Sequence, residues 1–331
     1  MVEAARYLGG EVLERELARV FRRSWLLACP SARIAQPGDF AVFDLAAESV
    51  ILWRAHDGVV RAFVNACPHR GTRLLDGAGR RERLVCPYHC FSFGDDGRLL
   101  SAPYLNEPPE LSLQALPAEE RFGLVWVDFG AERSLDEHLA PIADLLRERS
   151  LQGFGLSSDV SVDLACNWKI SADVHGEALH VPSLHPEIAS KVDFVGARIV
   201  AHPPHAVIEV APRVEGLGTN VLVYVFPNAH LNLHADYALI FRHCPHATDP
   251  QRSRFDQYAL AKTAPEQPEP PRHVAADDPA IGPITAADLH IAERVQRGLG
   301  SGRISPTLTH PERLLGWMLH SLDRHLAEND D

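Results

Sequence analysis

Two short cysteine–histidine pairs constrain this chain more than any other feature of its sequence. The first pair joins Cys67 and His69 in C-P-H, the second joins Cys86 and His89 in C-P-Y-H, and sixteen residues separate His69 from Cys86. Thiolates and imidazoles at such short spacings are typical metal ligands. The chain is therefore expected to bring two loops together at one metal centre.

Two kinds of metal centre accept these four ligands. Zinc binds two cysteines and two histidines tetrahedrally, but C-x-H places its ligands closer together than a zinc finger does. A Rieske [2Fe–2S] cluster takes two thiolates on one iron and two imidazoles on the other, and each pair supplies one of each. We predict a Rieske cluster bound by Cys67, His69, Cys86 and His89, with a structural zinc site as the alternative.

Length, charge and cysteine usage limit the class of protein. The 331 residues suffice for about two domains, and a net charge of -12 argues against nucleic acid or an anionic membrane surface as partner. Six cysteines are too few for a disulfide scaffold of this length. No apolar run approaches the ~20 residues of a membrane helix, and MVEAARYLGG lacks a signal-peptide pattern. We expect a cytoplasmic location.

Hydrophobic periodicity divides the chain into two predicted domains, residues 1–130 and 131–331. The first begins with a helix over Ala4–Trp25 and continues as an all-β module, about residues 38–130, that contains both Cys/His pairs. The helix places one apolar set on a common face: Val12, Leu13, Leu17, Val20 and Phe21. The predicted strands are Phe40–Leu45, Val50–Ala55, Val59–Asn65 and Gly123–Phe129.

The second domain mixes a run of strands with separate helices, which predicts an α+β fold. Ser134 is the expected N-cap of its first helix. Further helices are predicted near Trp168–His180, Thr285–Leu299 and His310–Ala327, and the Pro-rich residues 264–272 form a loop. The predicted strands are Val160–Ala165, Ala197–Ala201, Ala206–Ala211, Val221–Phe226, Tyr237–His243 and Phe255–Ala261.

A second group of candidate ligands lies in the segment SADVHGEALHVPSLHPE. On a continuous helix, Asp173, Glu177 and His180 would face the same way, and His185 follows five residues after His180. Two histidines and one carboxylate can form a facial triad that binds Fe(II) and leaves positions open for dioxygen and substrate. Asp173, Glu177 and several later acids all qualify as the carboxylate.

Together these motifs resemble the catalytic α subunits of Rieske non-haem iron oxygenases, the aromatic ring-hydroxylating dioxygenase family, and the resemblance extends to the C-terminus. The family usually has C-P-Y-H-G-W, whereas Cys90 and Phe91 follow His89 here. The resemblance implies an all-β Rieske domain and an antiparallel-sheet helix-grip (START-like) catalytic domain. It implies two cofactors: one [2Fe–2S] Rieske cluster and one mononuclear Fe(II).

The resemblance also assigns roles to the second group of residues. It implies that His180, His185 and Asp288 bind the mononuclear iron. An acid three residues before the first iron histidine, here Glu177, would bridge to a Rieske histidine of another subunit. Asp173 stands where many relatives have Asn near the iron, so its implied role is at most to support the iron ligands.

The function implied by the resemblance is that of a terminal oxygenase component. Such a component uses O2 and electrons from NADH, passed on by a separate reductase, to hydroxylate a small aromatic compound. No G-x-G-x-x-G fingerprint appears in this chain, so the nicotinamide chemistry is expected in that reductase, with or without a ferredoxin between them. The family's bridge between subunits implies a homotrimer.

Two alternatives to this function are open. One is a monooxygenase or demethylase for a quaternary amine or methoxy substrate, and binding of the cationic amine would need an aromatic cage. The other is a Rieske electron carrier, which would leave some 200 residues unexplained. The candidate cage residues are Tyr224, Phe226, Tyr237 and Phe241, and the candidate pocket residues are Phe226, Asn228, His230, Asn232 and Tyr237.

Overall fold

The computed structural model describes residues 2–103, 105–107, 109–216, 218–265, 268–309 and 312–327. Along these ranges the chain forms an N-terminal helical segment, then three small sheets, then one large sheet with its helices. The predicted α+β class is confirmed. None of the helices in these ranges is long and apolar enough to cross a membrane.

The N-terminal segment is less continuous than the helix predicted over Ala4–Trp25. Its elements are α1 (Ala5–Leu8), α2 (Gly10–Arg19) and a 3-10 turn (Phe21–Arg23). Gly9 interrupts the helix because its backbone is extended, with φ -82° and ψ 124°. On the predicted apolar face, Leu13, Val20 and Phe21 are buried, and Val12 and Leu17 are half-buried. The predicted face is therefore correct, although the helix is shorter than predicted.

Three small antiparallel sheets follow. Their strands are β1 (Trp25–Pro30), β2 (Asp39–Leu45), β3 (Glu48–Arg54), β4 (Val60–Val64), β5 (Ala78–Arg80), β6 (Leu84–Val85), β7 (Ser92–Phe93), β8 (Leu99–Ser101), β9 (Ala115–Leu116), β10 (Ala118–Arg121) and β11 (Leu124–Asp128). The strand orders are β5-β2-β3-β4-β9, β1-β11-β10 and β6-β7-β8. The four predicted strands correspond to β2, β3, β4 and β11, and the strands that were missed have six residues or fewer.

Two short helices, α3 (Leu135–Leu139) and α4 (Ala143–Glu148), lead into the large sheet. Ser134 caps α3 as predicted. Its Oγ accepts a hydrogen bond from the Glu137 backbone N–H at 3.2 Å, and a Glu137 carboxylate oxygen accepts from the Ser134 N–H at 2.9 Å. This reciprocal pair satisfies two N–H groups that have no partner within the helix.

The large sheet has eight strands in the order β13-β14-β15-β16-β17-β18-β12-β19. They are β12 (Gly155–Leu164), β13 (Val192–His202), β14 (His205–Pro212), β15 (Asn220–Val225), β16 (Ala229–Leu233), β17 (Tyr237–Pro245), β18 (Ser253–Ala261) and β19 (Arg272–His273). All neighbours are antiparallel except β12 and β19. The six predicted strands all have counterparts, whereas β16 and β19 were missed.

Five helices are associated with this sheet: α5 (Trp168–His175), α6 (Val181–Leu184), α7 (Pro186–Ala189), α8 (Pro283–Leu299) and α9 (Arg313–Ala327). Helix α5 packs on β16, β17 and β18, α9 packs on β13 and β14, and α8 packs against α5. The first two residues of the helix predicted from His310 lie outside the described residues.

The helix predicted near Trp168–His180 is wrong in its second half. Helix α5 ends at His175, and Gly176 is its C-cap. A side chain at Gly176 would lie 2.9 Å from Met318 Sδ, so α9 approaches the chain closely at this point. Residues 177–180 form a loop, and the expectation that Asp173, Glu177 and His180 share one helical face is therefore also wrong.

A buried ion pair fastens α2 to the start of α5. Lys169 Nζ donates to both Glu16 carboxylate oxygens at 2.7 and 2.9 Å, and Trp168 Nε1 donates to Glu16 at 2.9 Å. The side chains of Glu16 and Lys169 are each 2% exposed. Because a buried charge without a partner is costly, each residue depends on the other.

We predict that Glu16→Gln destabilises the protein by about 3–5 kcal/mol, because it leaves the Lys169 ammonium buried without its counter-charge. The measurement is the midpoint of urea unfolding. Glu48→Gln is the matched control, since Glu48 pairs with Arg22 on the surface and its loss is expected to cost under about 1 kcal/mol. Equal midpoints for the two variants would contradict the structural role of this ion pair.

Candidate metal centres

The two cysteine–histidine loops have the same backbone design. In the first, the Cys67 carbonyl accepts from the Gly71 N–H at 2.8 Å, and in the second the Cys86 carbonyl accepts from the Cys90 N–H at 3.0 Å. The closing residues both have positive φ, 71° at Gly71 and 57° at Cys90. This left-handed conformation favours glycine. A glycine would therefore suit the position that Cys90 occupies, and Cys90 adopts the same left-handed backbone conformation there.

The four side chains of these loops are arranged with sulfur inside and imidazole outside. Cys67 and Cys86 are 2% and 1% exposed, whereas His69 is exposed and His89 is half-buried. The two imidazole rings lie 4.8 Å apart between centroids. This arrangement fits a Rieske cluster, in which Cys67 and Cys86 would hold one iron in the interior and His69 and His89 would hold the other near the surface.

Both thiols are buried and accept hydrogen bonds from backbone N–H groups. At Cys67, burial raises the pKa of the thiol against the N–H groups of His69 and Arg70. At Cys86, burial is outweighed by the N–H groups of His89 and Tyr88, with a contact to the Cys67 thiol, and these lower the pKa. Such N–H groups stabilise negative charge on sulfur, which is what a cluster ligand carries.

A second group of metal-binding side chains converges at the end of the large sheet. His180 lies in the loop before α6, His185 lies between α6 and α7, and Asp288 is in α8. His185 Nε2 is 2.7 Å and His180 Nε2 is 3.4 Å from Asp288 Oδ1. Among the described residues this is the group of three whose potential ligand atoms all lie within 4.8 Å of one another. Two imidazoles and one carboxylate fit Fe(II) with open positions.

Glu177 orients the first of these histidines. Its Oε1 is hydrogen bonded to His180 Nδ1, and its Oε2 accepts from the backbone N–H groups of Leu179 and His180. Because a carboxylate only accepts, Nδ1 carries the proton and Nε2 keeps a lone pair for a metal. Burial acts against a charged imidazole, but Glu177 and Asp288 outweigh it and raise the pKa of His180. The site is therefore electrostatically suited to a cation.

Two side chains of α8 fix this helix against α5. Gln296 Oε1 accepts from the Asn167 N–H at 2.8 Å, and Glu293 Oε1 accepts from the Ala165 N–H at 3.0 Å. Asp288 lies about two turns before Gln296 on the same buried side of α8. These hydrogen bonds fix the position of α8 along its axis relative to α5, and with it the position of the Asp288 carboxylate.

A cavity of about 380 Å³ opens beside the three converging residues. Aliphatic and aromatic side chains supply a little over half of its described lining residues, and polar or charged side chains supply the rest, among them five histidines and the ammonium of Lys191. Of the predicted pocket residues, His230, Asn232 and Tyr237 line it. Phe226 and Asn228 do not: Phe226 packs on His325, and Asn228 Nδ2 donates to the His243 carbonyl.

Asp173 lies outside this cavity. Its Oδ2 accepts from the Tyr7 hydroxyl at 2.8 Å, and burial raises its pKa to about 7. No hydrogen bond or ion pair joins it to His180, His185 or Asp288 in the described parts of the chain.

Three buried residues near the cavity were not predicted from the sequence: His175, which lines it, and the hydrogen-bonded pair Ser171 and His243. In this pair the hydrogen bond joins His243 Nδ1 to Ser171 Oγ at 2.8 Å. Two of these residues are histidines in a predicted helix and a predicted strand, which could have marked them as candidates. In a chain with 18 histidines, that alone does not distinguish a functional histidine from a structural one.

Two family models match the chain. The Rieske [2Fe-2S] domain matches residues 24–117, and the ring hydroxylating alpha subunit (catalytic domain) matches residues 152–328, which is more than half of the sequence. The fold and both motifs agree with these matches. The chain belongs to the ring-hydroxylating alpha subunit family of Rieske proteins.

Relatives of two kinds are similar in sequence. The carnitine monooxygenase oxygenase subunit of Acinetobacter baumannii is 31% identical over 201 residues, which cover 56% of this chain and 53% of that protein. The large oxygenase component of the naphthalene 1,2-dioxygenase system of Ralstonia sp is 34% identical over 189 residues, covering 53% and 42%. The chain thus spans about half the length of the curated relatives it matches.

Solved structures share the fold over nearly the whole chain. A quaternary ammonium Rieske monooxygenase in complex with L-carnitine superposes with a TM-score of 0.84 at 22% identity, covering 98% of this chain and 95% of that one. Naphthalene 1,2-dioxygenase from Rhodococcus sp. bound to indole gives a TM-score of 0.80 at 18% identity, covering 99% and 95%. At these identities the likeness concerns the fold alone.

We predict that Gln296→Leu lowers the occupancy of the mononuclear site and leaves the Rieske cluster intact. The variant removes the acceptor of a buried backbone N–H, which costs about 1–3 kcal/mol and loosens α8 at Asp288. Iron content per chain and the Rieske absorption spectrum measure the two centres separately. Arg297→Gln, an exposed position on α8, is the control and should change neither quantity. A Gln296 variant with full iron content would contradict this anchoring role.

Proposed function

We propose that this chain is the terminal oxygenase component of a multicomponent Rieske system, using O2 and electrons from NADH to hydroxylate a small aromatic compound. The observation that carries the proposal is the convergence of His180, His185 and Asp288 beside a cavity with a large apolar lining. With its metals bound, such a protein receives electrons one at a time at the cluster and activates dioxygen at the mononuclear iron.

The residues divide this work between them. Cys67, His69, Cys86 and His89 would hold the cluster near the surface, where an electron donor can reach the imidazole side. His180, His185 and Asp288 would hold Fe(II), with Glu177 fixing the His180 ring. The apolar part of the cavity lining would bind an apolar substrate and exclude water from the reacting positions.

The walls of the cavity favour an aromatic substrate over a quaternary amine. Of the four residues suggested for an aromatic cage, Tyr237 and Phe241 line the cavity together with Phe194, whereas Tyr224 and Phe226 do not. The Tyr224 hydroxyl donates to the Pro227 carbonyl at 2.6 Å instead. The ammonium of Lys191 would repel a cationic substrate, and the lining carboxylates Glu177 and Asp288 are assigned to the iron site. A monooxygenase for a quaternary amine remains the alternative, and a relative of that activity supports it.

A Rieske electron carrier is the alternative from another class. It would need the small sheets and their two loops, but neither the eight-stranded sheet nor a carboxylate between two histidines. The convergence of those three residues supports an oxygenase.

The proposed partners follow from the chemistry. Electrons would come from an NADH-dependent reductase, with or without a ferredoxin, and we propose a homotrimer in which each cluster serves a neighbouring iron. A reducing cytoplasmic setting suits the six cysteines, none of which forms a disulfide. The net charge of -12 gives no reason to expect nucleic acid or a membrane surface as partner.

We predict about three iron atoms per chain in the purified protein and about two in Asp288→Ala, because that variant removes one of three ligands of a single iron. Product formation should fall more than about 100-fold while the Rieske spectrum is unchanged. Metal analysis, absorption spectroscopy and product detection over a panel of aromatic compounds and methylated amines measure these effects.

Glu187→Ala is the matched control, since Glu187 is an exposed carboxylate two residues from His185. It should retain both metals and full activity. Unchanged turnover in Asp288→Ala would remove Asp288 from the ligand set, and about two iron atoms per chain in the unaltered protein would favour the electron carrier.

We further predict that two inactive variants restore activity when they are combined in one oligomer. Cys67→Ser removes the cluster and Asp288→Ala removes the mononuclear iron, so neither homo-oligomer turns over. If electrons cross between chains, an intact cluster in one chain serves an intact iron in the next. The measurement is product formation by co-expressed, differently tagged chains, with mixtures of separately folded variants as the control. Inactive hetero-oligomers would exclude the transfer between chains.

A further inference from the structure

Three buried histidines lie beside the mononuclear site, two of them hydrogen bonded to each other and two of them hydrogen bonded to Ser171. They are His175 on α5, His230 on β16 and His243 on β17, and they are 9%, 3% and 0% exposed. His175 and His230 line the same cavity as His180, His185 and Asp288. Neither the iron site nor the proposed electron route uses them.

The proton of His175 can be placed from its partner. Its Nδ1 is 2.8 Å from the Ser171 backbone carbonyl, and a carbonyl oxygen only accepts, so Nδ1 carries the hydrogen. Burial lowers the pKa of His175, so the ring is neutral at neutral pH. Its Nε2 is therefore a lone-pair acceptor, and it has no hydrogen-bond partner among the described residues.

His230 is the end of a short chain of hydrogen bonds. Its Nδ1 is 3.1 Å from His243 Nε2, and His243 Nδ1 is 2.8 Å from Ser171 Oγ. The hydroxyl can donate or accept, so the chain can run in either direction. If the Ser171 hydroxyl donates to His243, His230 Nε2 carries a hydrogen and is a donor. If the hydroxyl accepts instead, His230 Nε2 has a lone pair and is an acceptor. This atom, too, has no partner within the described parts of the chain.

Two buried nitrogens without partners are costly in an apolar wall. Each such group forfeits about 1–3 kcal/mol of hydrogen bonding when it is removed from water. Burial also holds the pKa of His230 well below its usual value, so it does not escape the cost by becoming charged. A neutral donor and acceptor pair suits a ligand that is itself uncharged and carries a hydroxyl or amino group, because such a group can donate and accept at once.

We propose that His175 and His230 form a hydrogen-bonding subsite that selects and orients an uncharged aromatic substrate bearing a hydroxyl or amino group. The group donates to His175 Nε2 and accepts from His230 Nε2, whose rings lie 6.4 Å apart between centroids, while the substrate ring lies against the apolar part of the lining. Both histidines are specificity-determining residues, and the inference rests on the proposed oxygenase function.

Calorimetric binding to the iron-loaded holoenzyme, without O2, tests the subsite on four compounds of similar size: phenol, anisole, toluene and benzoate. Phenol should bind about tenfold more tightly than toluene for each hydrogen bond formed, and more tightly than anisole, which cannot donate. In His175→Phe and in His230→Phe the preference for phenol over toluene should fall by about tenfold, with toluene binding retained. Retained toluene binding shows that the cavity is still folded.

His234→Phe is the matched control. His234 lines the same cavity, but its ring stacks on Tyr237 at 4.0 Å, away from the hydrogen-bonded group. It should keep the phenol preference. Equal binding of phenol and toluene by the unaltered protein overturns the inference, as does the same loss in His234→Phe. Tightest binding of benzoate, abolished in Lys191→Met, also overturns it and assigns an anion to the cavity.

Failure of this inference is distinguishable from failure of the proposed function. Binding selectivity does not require turnover, whereas the oxygenase function is tested by iron content and product formation. About three iron atoms per chain without a preference for phenol would contradict the subsite alone. About two iron atoms per chain would contradict the oxygenase function, whichever compound binds.

Discussion

Gln296 and Glu293 on α8 accept hydrogen bonds from the backbone just before and at the start of α5, and this contact sets the register of the two helices. Asp288 is far from His180 and His185 in sequence, so its position depends on that register. A shift of α8 by one residue would move the carboxylate by about 1.5 Å and rotate it away from the histidines. The same side of α8 buries Ala292, whose small side chain allows the close approach.

Features set by neighbouring residues could be read from the sequence. The cluster motif lies in two local turns, the Ser134 cap depends on a residue three positions away, and the alternating strands carry their own period. The end of α5 depends instead on α9, some 140 residues later, where Met318 packs against Gly176. A helical pattern that continues through His180 contains no sign of that contact, so the predicted helix ran too far.

The cavity was harder to predict because it depends on pairing between strands. His230 and Tyr224 face each other across β16 and β15, yet only His230 lines the cavity, since the Tyr224 hydroxyl turns to the Pro227 carbonyl. Phe226 and Asn228 lie in the turn between these strands, where alternation no longer predicts direction. The strand β16 itself was missed, so its register could not be used.

The two candidate centres have opposite relations to solvent. The imidazole side of the cluster site is exposed, whereas the iron site is enclosed, with Glu177 12% exposed at its edge. No hydrogen bond between described residues joins the ligands of one centre to those of the other. In the proposed transfer between chains, Glu177, already hydrogen bonded to His180, would be the contact point for a neighbouring cluster.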